Sequence, residues 1–85
     1  MKDIILTLYT VSKNSLRYVT VRRASIIAEN ADEMLAKIRE MKDDCSKYAN
    51  EYVAFMTMST SHYDFPGSEI LKLVTPVNVQ ELFDN

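Results

Sequence analysis

The sequence predicts an α+β fold with the element order β-β-α-β-β-α: a four-stranded antiparallel sheet, a main helix packed on one face and a short C-terminal helix. Two observations carry this prediction. Apolar and polar residues alternate at period two in segments before position 24 and after position 50, while apolar residues between them recur at spacings of three and four. The 85 residues include one glycine and no repeat or linker-like stretch, so we expect a single domain spanning residues 1–85.

The first two strands are predicted to pair as a hairpin. Residues 3–11 alternate and are rich in β-formers, the polar cluster "SKNS" at 12–15 indicates a turn, and alternation resumes over 16–23. One helix layer leaves the second face of such a sheet open. We expect that open face to carry Tyr9, Tyr18, Thr20, Arg22 and Thr7, together with Met56 and Met58.

The main helix is predicted over residues 31–48. Asn30 offers a side-chain oxygen to the first free amides, and Glu33 can reach back toward the cap as in a capping box. One stripe of residues at helical spacing is apolar and is predicted to face the core: Ala31, Met34, Leu35, Ile38, Met41, Cys45 and Tyr48.

Two more strands and a short helix complete the prediction. Residues 51–60 alternate and indicate the third strand, and residues 69–74 indicate the fourth. Thr75 can cap a final helix that has Pro76 in its first position, where the missing amide costs nothing.

The stretch "HYDFPG" at 62–67 holds the only histidine and the only glycine of the chain. His62 and Asp64 suit an acid/base pair or two metal ligands, but the spacing supplies neither a third ligand nor a nucleophile. Pro66 and Gly67 suit the centre of a type II turn. We therefore predict a hairpin loop with Tyr63 or Phe65 anchored on the core or presented to a partner, and we predict no catalytic residue, no metal ligand and no cofactor.

The first hairpin is basic, and this keeps a nucleic-acid-binding alternative open. Its candidate phosphate contacts are Lys13, Arg17, Arg22 and Arg23, and its tyrosines can stack on unpaired bases. Neighbouring residues of a strand point to opposite faces, so Arg22 and Arg23 do not form one patch unless the strand ends there. The glycine-aromatic pattern of an RNA-recognition sheet is missing.

Charge and cysteine content set the expected environment. Residues 1–30 carry five basic and two acidic side chains and the remainder five and ten, so a net charge of −2 divides into +3 and −5. The single cysteine, Cys45, excludes an internal disulfide, lies on the apolar helix stripe and favours a reducing compartment. The N-terminal run reads as a strand rather than a signal sequence, and no run is long enough to span a membrane. We expect a cytoplasmic protein that does not bind a membrane.

A short, glycine-poor chain with β-β-α-β-β order, divided charge and no catalytic signature resembles the accessory proteins of tailed phages that inhibit host defence enzymes. This class includes antitoxin-like inhibitors of ribonuclease toxins and inhibitors of CRISPR complexes. The resemblance implies a non-enzymatic inhibitor that docks on a host protein, or on a protein carrying RNA, and occludes it. We expect the partner-binding residues to be Tyr9, Tyr18, Arg22, Tyr63 and Phe65. Direct RNA binding stays open as the alternative, and a homodimer is compatible with an unpaired sheet edge.

Overall fold

The computed structural model describes residues 1–15, 17–60 and 71–84. Its order is the predicted β-β-α-β-β-α, which confirms the α+β fold with a four-stranded antiparallel sheet. The elements are β1 (Lys2–Ser12), β2 (Val19–Ala28), α1 (Ala31–Tyr48), β3 (Glu51–Thr60), β4 (Lys72–Leu73) and α2 (Pro76–Phe83).

The strands lie in the order β2-β1-β3-β4, so β1 is central and β2 forms one margin of the sheet. The register between β1 and β2 pairs residues of equal parity, for example Tyr9 with Val21 and Leu8 with Arg22. Each face of this hairpin is therefore built from the odd residues of both strands or from the even residues of both. This parity decides which side chains can meet.

The even residues face α1 and form the core. Ile4, Leu6 and Leu8 are buried on β1, and Ile26 and Ala28 continue the layer on β2. The helices and β3 complete the cluster with Ala31, Met34, Ile38, Met58 and Val79. The apolar stripe predicted for α1 supplies the helix side of this core, except that Tyr48 is exposed.

The helix boundaries follow from their caps. Asn30 has an extended backbone, and its Oδ1 accepts from the Glu33 amide at 2.8 Å, as predicted. The Glu33 carboxylate accepts from the amide of Glu29, one residue before the cap, at 3.1 Å. In α2 the Thr75 hydroxyl accepts from the Asn78 amide at 3.0 Å, and Pro76 begins the helix. Both predicted starts are confirmed.

A bulge in β3 corrects one expectation about the open face. Tyr9 pairs with Phe55 but Thr10 pairs with Val53, so Ala54 has no partner residue on β1. Beyond the bulge, Met56 pairs with Leu8 and Met58 with Leu6, which places both methionines on the helix side. Met58 is buried in the core and Met56 packs against it. The prediction that they lie on the open face was wrong.

Two strand boundaries also differ from the sequence-based ones. β2 begins at Val19 and extends to Ala28, where residues 16–23 were expected. Of the predicted fourth strand at 69–74, the structure describes residues 71–74 and forms a strand over Lys72–Leu73, while positions 69 and 70 lie outside the described residues. In the part of the chain that the structure describes, no helix is long and apolar enough to cross a membrane.

Candidate docking interface

The open face of the sheet is built by the odd residues of β1 and β2. Across the sheet, Val21, Tyr9 and Phe55 form one row. The next row, toward the β1–β2 turn, contains Val19, Val11 and Tyr52. We call these two rows the apolar patch. The row on the other side of Tyr9 is more polar and contains Arg23, Thr7 and Thr57. The apolar patch therefore covers one end of the open face.

The outer members of the apolar patch are strongly exposed. The exposed fractions are 63% for Val19, 50% for Val21, 57% for Tyr52 and 50% for Phe55. Single exposed apolar residues are ordinary on soluble proteins, but a contiguous group rimmed by polar residues indicates an interaction surface. Here the pairing register makes the group contiguous.

The two aromatic rings at the centre of the apolar patch stack on each other. The ring centroids of Tyr9 and Phe55 are 4.3 Å apart, and the ring planes differ by 16°. Since the two residues are paired on adjacent strands and their rings are stacked, each ring covers one face of the other. The mutually covered ring faces are not available for stacking with a base, whereas apolar side chains of a protein can pack against the exposed parts of both rings.

Cations lie around the apolar patch. Arg23 lies on the open face in the adjoining row, and Arg17 lies in the turn that joins the two patch-bearing strands. Lys13 is held at the end of the sheet: its Nζ donates to the Ser46 hydroxyl at 2.7 Å and lies 5.2 Å from the centroid of the Tyr52 ring. Among the described residues, neither Arg17 nor Arg23 forms an ion pair.

Arg22 does not lie on the open face, which corrects the expectation that it joins Tyr9 there. Its Nε donates to Glu51 Oε1 at 2.8 Å, and its Nη2 donates to Oε2 at 2.9 Å, on the helix side of the sheet. The Arg22 guanidinium holds the pKa of the Glu51 carboxyl below its usual value. This bidentate pair connects the marginal strand β2 to the start of β3. The Arg22 charge, which was expected to contact a partner, is therefore paired within the protein.

The structure thus separates the predicted site residues. Tyr9 lies in the apolar patch, and Arg23 lies beside it. Tyr18 is 75% exposed just before β2 begins. Arg22 and Arg23 point to opposite faces, as the alternation argument required. Tyr63 and Phe65 lie outside the described residues, as do His62, Asp64 and the predicted turn at 66–67.

Sequence reasoning did not select most of the apolar patch. Val11, Val19, Val21, Tyr52 and Phe55 were assigned to strands but not to the site. The signal was present in the odd-numbered residues of the first hairpin, which are apolar at Tyr9 and Val11 before the turn and at Val19 and Val21 after it. The residues of the second strand that were expected on the open face, Thr20 and Arg22, belong to the even series, which lies on the helix side.

Cys45 lies on the helix side, in a cleft of about 220 Å³ that is also lined by Leu8, Met41 and Asp44. Burial raises the pKa of its thiol, so at neutral pH it is protonated and weakly nucleophilic. No group of three or more metal-ligating side chains converges in the described ranges. Comparisons of the chain with models of protein families, with curated proteins and with solved structures gave no match.

Proposed function

We propose that this protein is a non-enzymatic docking protein, which uses the apolar patch on its open sheet face to cover a surface of a partner protein. The observation that supports it is the contiguous, half-exposed patch formed by two rows across three strands. An occluding role accords with the inhibitor activity implied by the resemblance to phage accessory proteins.

The charges around the patch support one kind of partner. Arg23 and Arg17 add positive charge at the rim, while the chain as a whole is acidic. A partner with an apolar centre and a carboxylate-bearing rim complements the apolar patch and these two cations, because rim charges steer encounter and the apolar centre supplies the affinity. We therefore propose an acidic protein surface as the target.

Protein is favoured over RNA by the ring geometry. Single-stranded RNA is bound by aromatic rings whose faces are free to stack on bases, together with several cations near the phosphates. Tyr9 and Phe55 cover one face of each other, and Arg22 is engaged by Glu51. Two of the features that support the RNA alternative are thus used inside the protein.

The test is affinity capture from the cells that express the protein, with and without ribonuclease, comparing three forms of the tagged chain. The open-face variant combines Val19→Thr, Val21→Thr and Phe55→Thr, because threonine is polar but still favours strands. The matched control replaces exposed apolar residues elsewhere, Tyr48→Thr, Leu71→Thr and Val77→Thr.

We expect an acidic protein to be captured in near-stoichiometric amount by the wild type and by the control in the presence of ribonuclease. The open-face variant should capture at least about tenfold less of this protein, since a few central residues carry most of an interface's affinity. Equal capture by all three forms contradicts the use of the apolar patch. Loss of the partner on ribonuclease treatment supports the RNA alternative instead.

A further inference from the structure

The outer edge of β2 is a second surface, distinct from the open face. β2 is ten residues long, lies at the margin of the sheet and pairs only with β1 among the described residues. Within Val19–Ala28 there is no proline or glycine, and the described register of this hairpin shows no irregularity. Long regular edges of this kind can pair with another chain, and proteins usually protect them.

The hydrogen bonds of β2 show which backbone groups point outward. The Thr20 carbonyl accepts from the Thr10 hydroxyl at 3.2 Å and therefore points toward β1. Backbone groups of an antiparallel strand alternate in direction within the plane of the sheet. The amides and carbonyls of Val21, Arg23 and Ser25 therefore point outward, away from β1. Ile27 has the same parity, and its carbonyl accepts from Lys37 Nζ at 2.6 Å. Lys37 thus covers one end of the edge.

A groove between β2 and α1 runs along this edge. The cleft of about 220 Å³ at Leu8, Ala24 and Met41 adjoins a second depression of about 390 Å³ at Ser25, Ile26 and Glu40. Met41 and Asp44 line both depressions. In an added strand, side chains on one face recur about every 6.8 Å, so two successive helix-side residues would enter the two depressions.

The charges of the groove select its occupant. Arg22 is neutralised by Glu51, and Lys37 forms an ion pair with Glu33 at 3.1 Å. Glu40 and Asp44 form no ion pair within the described ranges, so the α1 wall attracts a basic side chain. Arg23 also lines the first depression, but its register with Thr7 places its side chain on the open face, where it attracts an acidic side chain.

We propose that the β2 edge binds an extended segment of a partner protein by strand addition at Val21, Arg23 and Ser25. The segment places an apolar and a basic side chain in the groove, and an acidic side chain beside Arg23 on the open face. A second copy of β2 fits less well, because β2 carries Arg22 and Arg23 and no carboxylate, so self-pairing would bring four arginines into one ladder.

The probe is an acetylated and amidated peptide, Lys-Thr-Leu-Glu-Thr-Val-Thr, designed to lie antiparallel to residues 20–26. Its Leu faces the first depression, its Lys faces Glu40 and Asp44, and its Glu lies opposite Arg23. The control peptide exchanges Lys and Glu, so composition and net charge are identical. Binding is followed by the amide NMR signals of the full-length protein, titrated to millimolar peptide.

We expect the amides of Val21, Arg23 and Ser25 to shift and to gain protection from hydrogen exchange. The control peptide should bind about tenfold more weakly, since each charged contact becomes repulsive. A Ser25→Pro variant should lose binding while staying folded, because it removes only an outward amide. A Ser25→Thr variant should bind as the wild type does.

The proposal is overturned if these amides do not respond, if both peptides bind equally, or if Ser25→Pro binds unchanged. It is also overturned if sedimentation shows a dimer of the free protein that Ser25→Pro dissociates, since the edge would then be occupied by a second copy. The result does not depend on the partner of the apolar patch, and the two proposals can fail separately.

Discussion

The two faces of the same sheet differ in what covers them. On the helix side, Leu6 is fully buried and Leu8 is 2% exposed beneath α1. On the open side, Val21 and Phe55 are each 50% exposed. Both faces carry large apolar residues on the same strands. Among the described residues, those on the helix side are packed, whereas on the open side Thr7 and Thr57 are buried and the outer members of the apolar patch are exposed.

The stability and the proposed function of the protein therefore depend on different side chains. Burial of apolar area contributes about 25 cal/mol per Å², so the helix-covered face supplies most of the folding free energy. The exposed half of the apolar patch supplies little to the monomer. A partner that covers it would recover that contribution as binding free energy.

The largest expected effect is on the helix-covered face. Leu6→Ala should lower the free energy of unfolding by about 3 kcal/mol, because the side chain is fully buried and leaves a cavity. Val21→Ala, on the open face of the neighbouring strand, should cost less than about 1 kcal/mol. Urea unfolding of both variants, followed by circular dichroism, measures the two values.

The Leu6→Met variant is the matched control, because it nearly conserves volume and should cost less than about 1.5 kcal/mol. The comparison between the faces fails if Val21→Ala destabilises the protein as much as Leu6→Ala does. In that case the apolar patch is part of the folding core.

A smaller effect is expected at the ion pair that fixes the margin of the sheet. Glu51→Gln should cost about 1 kcal/mol at neutral pH, since it removes a bidentate charged contact whose Arg22 side is 47% exposed and therefore screened by solvent. Urea unfolding at pH 7 measures this. An unchanged midpoint would show that the pair contributes nothing to the stability of the sheet.

The same pair predicts a pH dependence. Because the pKa of Glu51 is lower in the folded than in the unfolded chain, the unfolded chain takes up the proton first as the pH falls. The stabilisation is complete above the ordinary glutamate value of about 4.3 and is lost as the pH falls through the folded pKa. The stability difference between wild type and Glu51→Gln should therefore vanish in acid, and a difference that grows there contradicts the assignment.

A stability effect of similar size concerns the helix that covers the core. Asn30→Ala should lower the free energy of unfolding by about 1 kcal/mol, since the Glu33 amide loses its acceptor. Asn30→Asp should retain most of this stabilisation, because its carboxylate can accept the same hydrogen bond. Thermal unfolding of both variants measures the difference. Neither should change capture of a partner, because the cap lies at the start of α1 rather than on the open face.

Much of the fold could be predicted from this sequence because its local signals agree. The stripe on α1, its Asn30 cap and the Thr75-Pro76 start each have a local cause, and the structure confirms them. The order β2-β1-β3-β4 could not be predicted, because alternation reveals the two faces of a strand but not its neighbours.

The candidate site was harder to predict because it depends on register. A shift of one residue moves every side chain of a strand to the other face, and the sequence allowed Tyr9 to be grouped with either parity of β2. In the structure Tyr9 pairs with Val21, so it shares a face with the odd residues of β2 and not with Arg22. Within β3, the bulge at Ala54 changes which residues face α1, from the odd ones before it to the even ones after it. No local sequence pattern at Met56 or Met58 indicates this change.

The proposed function places the partner of the apolar patch on the open face and not on the exposed surface of α1. Photo-crosslinking in the expressing cells tests it directly, with p-benzoylphenylalanine replacing Phe55 in one form and Tyr48, 75% exposed on α1, in the other. We predict one dominant crosslinked protein, rich in acidic residues, from position 55 and little from position 48. Equal yields at the two positions, or a crosslink formed only at position 48, would contradict the claim.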